Sequence, residues 1–145
     1  MFPPLFVYGT LRRGGSNDIA RFVPRATYAG AARVRGRLYS VGPYPHLVLD
    51  AAGGWVIGEL YDVPAEAWPV LDALEEVVTS DRPHGKYFRR EAIVERTDAV
   101  TGAPVDNAMR AILYEGNAAV LPVDVPIPGG DWIRFAADEN GSRSG

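Results

Sequence analysis

The chain has no cysteine. That excludes disulfides, thiolate zinc sites and a cysteine nucleophile, and it suits a reducing compartment. Histidine is scarce: His46 and His84 stand far apart in sequence, so neither a His-rich metal site nor a Ser-His-Asp triad is expected. No apolar run reaches the length that spans a bilayer. The first residues lack a basic segment followed by an apolar one, so no signal peptide is expected and the expected location is cytoplasmic. There is no excess of positive charge either. Lys and Arg total 15 against 18 Asp and Glu, a net charge of −3, which gives no electrostatic basis for binding nucleic acid or an anionic membrane. Internal repeats and low-complexity segments are also missing. Chemistry, if there is any, must rest on carboxylates, tyrosines and backbone amides.

What is present is an ordinary globular composition, 47% apolar and 23% charged over 145 residues, enough for one domain with a real core. The domain is expected over residues 1–138, with 139–145 a frayed tail. Strand signals dominate. Leu5–Tyr8 is an apolar run, and Ala26–Tyr39 alternates, with Ala32, Val34 and Gly36 opposite Arg33, Arg35 and Arg37. His46–Leu49, Trp55–Val63, Tyr87–Arg96 and Met109–Tyr114 read as further strands, and Asp50–Gly54 as a turn of hairpin type. Ile19–Val23 is a short helical segment ended by Pro24. Pro64–Glu76 is the clearest helix, with Trp68, Leu71, Leu74 and Val78 at helical spacing. Pro69 places its regular part late, from near Trp68. From Glu115 on, proline and glycine predict irregular chain wrapped over the core. The expected fold is α+β: a small mixed β-barrel, closed to hide its edges, with one principal and one or two short flanking helices.

Two stretches draw attention as chemistry. At Tyr8-Gly9-Thr10-Leu11 an apolar strand stops on a glycine, which lets other atoms approach the backbone closely. Amides after such a glycine suit a small anionic group such as a carboxylate. At Leu71-Asp72-Ala73-Leu74-Glu75, a carboxylate borders an apolar helix face near the helix C-terminus. Such a group has a raised pKa and makes a base near neutrality. Glu76 is its neighbour, and periodicity alone does not separate the two. Gly36-Arg37-Leu38-Tyr39 and Gly58-Glu59-Leu60-Tyr61 are similar pieces and read as barrel strands with a glycine at a tight bend. On the strand from Tyr87, Tyr87 and Arg89 share a face.

Taken in order, Tyr8-Gly9-Thr10-Leu11, Leu71-Asp72-x-x-Glu75, Tyr87-x-Arg89 and Gly130-Asp131-Trp132 resemble the γ-glutamylcyclotransferase-like family, which includes γ-glutamylamine cyclotransferases and avirulence-induced proteins. The resemblance runs over nearly the whole chain. It implies a small β-barrel with a cavity at one end, and release of 5-oxoproline from a γ-glutamyl compound by cyclising amide cleavage, a transferase or lyase reaction needing no metal or cofactor. It implies that Tyr8, Gly9, Thr10 and Leu11 bind substrate, largely through the backbone, joined by Tyr87 and Arg89, and that Glu75 rather than Glu76 is the catalytic base. The implied partner is a small γ-glutamyl molecule, with no nucleic acid and no membrane. The family often has Gly where this chain has Glu76, and a shorter stretch than Glu76–Lys86 before the Tyr-x-Arg strand. That stretch, Val77–Lys86, is expected near the cavity mouth, lying over the leaving amine. A non-catalytic ligand-binding or interaction barrel of the same fold is the alternative reading.

Overall fold

The computed structural model describes residues 3–13, 15, 18–105 and 108–137. Its strands are β1 (Leu5–Val7), β2 (Thr27–Val41), β3 (Tyr44–Leu49), β4 (Gly54–Asp62), β5 (Tyr87–Thr97) and β6 (Met109–Gly116), and the helix α1 (Trp68–Leu74) lies between β4 and β5. The long strand β2 organises the rest. Ala32, Val34 and Leu38 are buried on one face while Arg33, Arg35 and Arg37 face outward, the period-2 pattern of a half-buried strand. β4 runs antiparallel along one edge of β2. The other edge is shared: Ala31–Arg33 pair with β5, and Gly36–Val41 pair with β3. Five strands therefore close a ring, β2–β4–β1–β6–β5 and back to β2, in which only β1 and β6 are parallel. Closure removes the exposed edges, as the sequence predicts.

β1 is buried on both faces. Phe6 and Tyr8 belong to the barrel interior with Val34, Leu38, Val56, Leu60 and Leu113. Leu5 and Val7 lie in a second cluster outside the barrel wall, with Trp68 and Leu71 of α1 and with Ile19 and Val23. This is why Leu5–Tyr8 is a continuous apolar run instead of an alternating one. Gly58 on β4 is required by this crossing, because a Cβ there would stand 2.2 Å from the Val7 carbonyl oxygen.

Four expectations need correction. Asp50–Gly54 is a turn, but it joins no hairpin: β3 and β4 lie on opposite edges of β2. Of the apolar stripe on α1, Trp68 and Leu71 are buried while Leu74 is exposed, because the helix ends at Leu74. The segment Ile19–Val23 makes a 3-10 turn over Ile19–Arg21 capped by Asp18. The C-terminal region is not wholly irregular: residues 132–137 are helical, and Trp132 packs into the barrel interior. The tail 139–145 lies outside the described residues. No helix among the described residues is long and apolar enough to cross a membrane.

The C-terminal chain is tied to the barrel by His46, which is fully buried on β3. Its Nε2 meets the Pro122 carbonyl oxygen at 2.7 Å, and its ring stacks on Tyr39. Burial lowers its pKa below the ordinary imidazole value.

Candidate active site

β1 ends at Val7 and the chain turns at once. The Arg12 N–H bonds back to the Gly9 carbonyl oxygen at 3.0 Å. Gly9 is pressed against Pro45 at the second position of β3, and a Cβ on it would come within 2.6 Å of the Pro45 ring. The far side of the turn is held by a buried carboxylate. Glu59 of β4 accepts from Arg12 Nε and, at 2.8 Å, from the Arg13 main-chain N–H; Arg12 also pairs with Asp131 at 2.8 Å. Asp131 therefore anchors the loop that Gly9 begins. Neither Arg12 nor Glu59 stands out in the sequence, and Asp131 does so only through the Gly-Asp-Trp resemblance.

The facing wall is the C-terminus of α1. Pro69 stands in its first turn, where a missing N–H costs nothing. At the other end Glu75 caps the helix, its N–H bonded to the Leu71 carbonyl oxygen, and the next residue, Glu76, takes a left-handed backbone with φ 51°. Glycine is the usual residue there. The reversal sends the two acidic side chains apart. Glu76 is exposed and meets Lys86 at 2.8 Å, a pairing that lowers its pKa. Glu75 enters a cavity, where burial raises its pKa to about 7.

That cavity has a volume of about 50 Å³ and opens to solvent on one side. Tyr8, Gly9, Thr10 and Leu11 line it from the loop, Glu75 from α1, Tyr87 from β5 and Tyr114 from β6. Tyr44 and Pro45 stand at β3, with Tyr44 half exposed. The hydroxyl of Tyr8 donates to the main-chain carbonyl of Tyr114 and accepts the Leu47 N–H at 3.2 Å; that of Tyr87 donates to the Pro45 carbonyl at 2.9 Å. Tyr114 donates to Asp72 Oδ1 at 2.8 Å, and Arg89 Nη1 meets Asp72 Oδ2 at 2.8 Å. Burial, helped by the negative charge of Glu75, raises the pKa of all three phenols, so each keeps its proton.

Of the residues expected at the site, Tyr8, Gly9, Thr10, Leu11, Glu75 and Tyr87 therefore share one cavity. Arg89 does not line it and touches it only through Asp72 and Tyr114. The stretch 77–86 contributes no lining residue. Its base is tied down by bonds from Lys86 N to Glu76 O and from Asn117 Nδ2 to Gly85 O. Tyr44, Pro45 and Tyr114 carried no sequence signal as site residues.

The family described as gamma-glutamyl cyclotransferase, AIG2-like, matches residues 5–134, from β1 through the C-terminal helix. The chain belongs to this family. Among its AIG2-like relatives, "Putative gamma-glutamylcyclotransferase BH1612" of Halalkalibacterium halodurans is 32% identical over 111 residues, 76% of this chain and 89% of that protein. Gamma-L-glutamyl-butirosin B gamma-glutamyl cyclotransferase of Niallia circulans is 41% identical over 76 residues, 51% of this chain and 46% of that protein. The AIG2-like barrel is also similar to the crystal structure of YkqA from Bacillus subtilis, at 24% identity and a TM-score of 0.70 over 97% of this chain. The chain spans 43% of YkqA, and at this identity the likeness shows the fold alone.

Proposed function

We propose that this AIG2-like protein cleaves γ-glutamyl amides by cyclisation, releasing 5-oxoproline and a free amine, with Glu75 as the base. The observation that carries the reading is one carboxylate, desolvated to a pKa of about 7, facing a glycine-initiated loop across a small cavity. A γ-glutamyl group holds its own nucleophile, the α-amine, a few bonds from the γ-carbonyl. The protein's task is to fold the substrate into the reactive conformer. Glu75 takes a proton from the α-ammonium. The amine nitrogen then bonds to the γ-carbon and closes a five-membered lactam. The bond from that carbon to the leaving nitrogen breaks as the protonated Glu75 gives that nitrogen its proton. Glu75 then takes the second proton from the ring nitrogen, leaving the lactam N–H, and passes it to the departing amine, which leaves as an ammonium. The loop 8–11 supplies main-chain donors to the substrate's anionic end. No atom of the reaction requires a redox or metal centre.

In this reading the glutamyl head lies against the loop 8–11 and Glu75, and the leaving amine points past Tyr44, a lining residue that is half exposed. The family match and the name of the Niallia circulans relative support a γ-glutamyl substrate whose amine portion is variable. The test is 5-oxoproline release from a panel of γ-glutamyl amino acids and amines, with Glu75→Gln alongside. Release by the native chain that is lost in Glu75→Gln supports the proposal. Saturable binding of the panel without any 5-oxoproline would favour the non-catalytic barrel instead.

A further inference from the structure

Tyr8, Tyr87 and Tyr114 line the same cavity as Glu75, yet each hydroxyl proton is committed elsewhere. Tyr8 and Tyr87 donate to main-chain carbonyls, which can only accept. Tyr114 differs, because its acceptor is a side chain, Asp72, held from behind by Arg89. Arg89 itself lies with its guanidinium 5.7 Å from the centre of the Trp68 ring. The other charges nearby are paired off, Arg89 with Asp72 and Lys86 with Glu76. The titratable groups that share the cavity with Glu75 are thus Tyr8 from the end of β1, Tyr44 from β3, Tyr87 from β5 and Tyr114 from β6, with Asp72 on the same helix as Glu75 bonded to Tyr114.

We propose that Asp72 is a positioning residue: it captures the Tyr114 hydroxyl proton and so denies Glu75 a hydrogen bond that would make its carboxylate a weaker base. This rests on the reading of Glu75 as the base. A carboxylate that accepts a phenolic hydrogen bond is stabilised in its charged form and titrates lower. The hydroxyls of Tyr8, Tyr87 and Tyr114 donate elsewhere although all three line the cavity that Glu75 enters, and burial raises the Glu75 pKa. The arrangement also gives a physical use to the aspartate of Leu71-Asp72-x-x-Glu75: one turn before the base on α1, it takes the proton of Tyr114, which, unlike those of Tyr8 and Tyr87, is not held by a backbone carbonyl.

Asp72→Asn tests this with little change in size. An asparagine keeps its carbonyl oxygen towards Arg89 and turns its NH2 towards Tyr114. The Tyr114 hydroxyl then accepts, and its proton is released towards Glu75. The Glu75 carboxyl is followed by carbon NMR titration, its signal assigned by its loss in Glu75→Gln, in parallel with the acidic limb of kcat/KM. Asp72→Asn should lower both by about one pH unit. Asp72→Asn with Tyr114→Phe should return both to the native position, and Tyr114→Phe alone should leave them in place. No shift in Asp72→Asn overturns the proposal. So does a shift that persists in the double variant, which would come from the lost charge of Asp72. If Asp72→Asn does not fold, Tyr114→Phe decides: an unmoved Glu75 supports the proposal, and a raised one means that Tyr114 already donates to it. The NMR titration reports on Glu75 whether or not 5-oxoproline forms, so failure of the cyclisation reading is seen separately.

Discussion

At the scale of single residues, the proposed chemistry rests on the split between Glu75 and Glu76. Glu75→Gln keeps the side chain's size but not its proton affinity. Turnover should fall by about 10²–10⁴-fold, as when a general base is removed, whereas Glu76→Gln should cost little, because that group only pairs with Lys86 at the surface. The base must be ionised to act, so kcat/KM should rise with pH through about 7 and then level. A profile flat from pH 5 to 8 would count against Glu75. Gly9 makes a second test. Gly9→Ala drives a methyl into the Pro45 ring and should raise KM far more than Thr10→Ala; equal effects would mean that the loop does not bind substrate through its backbone. That Glu75 borders an apolar space was legible from its apolar flank, and the family resemblance singled it out from Glu76. The left-handed backbone of Glu76 was not, because nothing local to a glutamate announces positive φ. Tyr114 was hidden for another reason: Ile112-Leu113-Tyr114 reads as plain strand, and only barrel closure brings its ring to Glu75.

At the scale of elements, what each strand contains was readable and where it sits was not. Alternation along β2 and the continuous apolar run of β1 follow from burial on one face and on two. The turn at Asp50–Gly54 has ordinary turn chemistry, including an Asp50 side chain that accepts the Ala52 N–H, but turn chemistry does not say which edge of β2 the next strand will take. The stretch 77–86 shows the same limit. Its polarity and its place after the helix suggest a cover for the cavity, yet its ends are bonded to Glu76, Tyr87 and Asn117, and it lines none of the site. The element at the open side is the start of β3. Tyr44→Ala should therefore change the relative rates for γ-glutamyl substrates with different amines, while shortening 79–84 should leave that profile alone. Measuring both variants on one substrate panel checks this, and the reverse outcome would return selectivity to the stretch 77–86.

At the scale of the whole molecule, two desolvated groups, Glu75 and His46, pull stability in opposite directions as pH changes. Glu75 carries a folded pKa of about 7 against an ordinary 4.5. Between those values the folded state holds the extra proton, so this contribution to stability is present at low pH and is lost as pH rises towards 7. His46 has a lowered folded pKa. The unfolded chain protonates first, so its contribution is present above the ordinary imidazole value and declines as pH falls through it. Glu75→Gln should accordingly raise the melting temperature at pH 8, with the gain shrinking towards pH 5. In that background, replacing His46 by Gln should flatten the remaining loss of stability on acidification. Melts that show no gain at pH 8 would mean that Glu75 is not held desolvated at a stability cost. The barrel also has a consequence in time. β1 is made before both of its partners, β4 and β6, and the Tyr8 hydroxyl is bonded to the backbone of Tyr114, 106 residues later. One edge of the first strand therefore waits until β6 has been made. A nascent chain therefore holds the 8–11 turn and Glu75 before it holds the cavity they line. Until the ring closes, the apolar strand β1 is the segment most in need of protection from other chains.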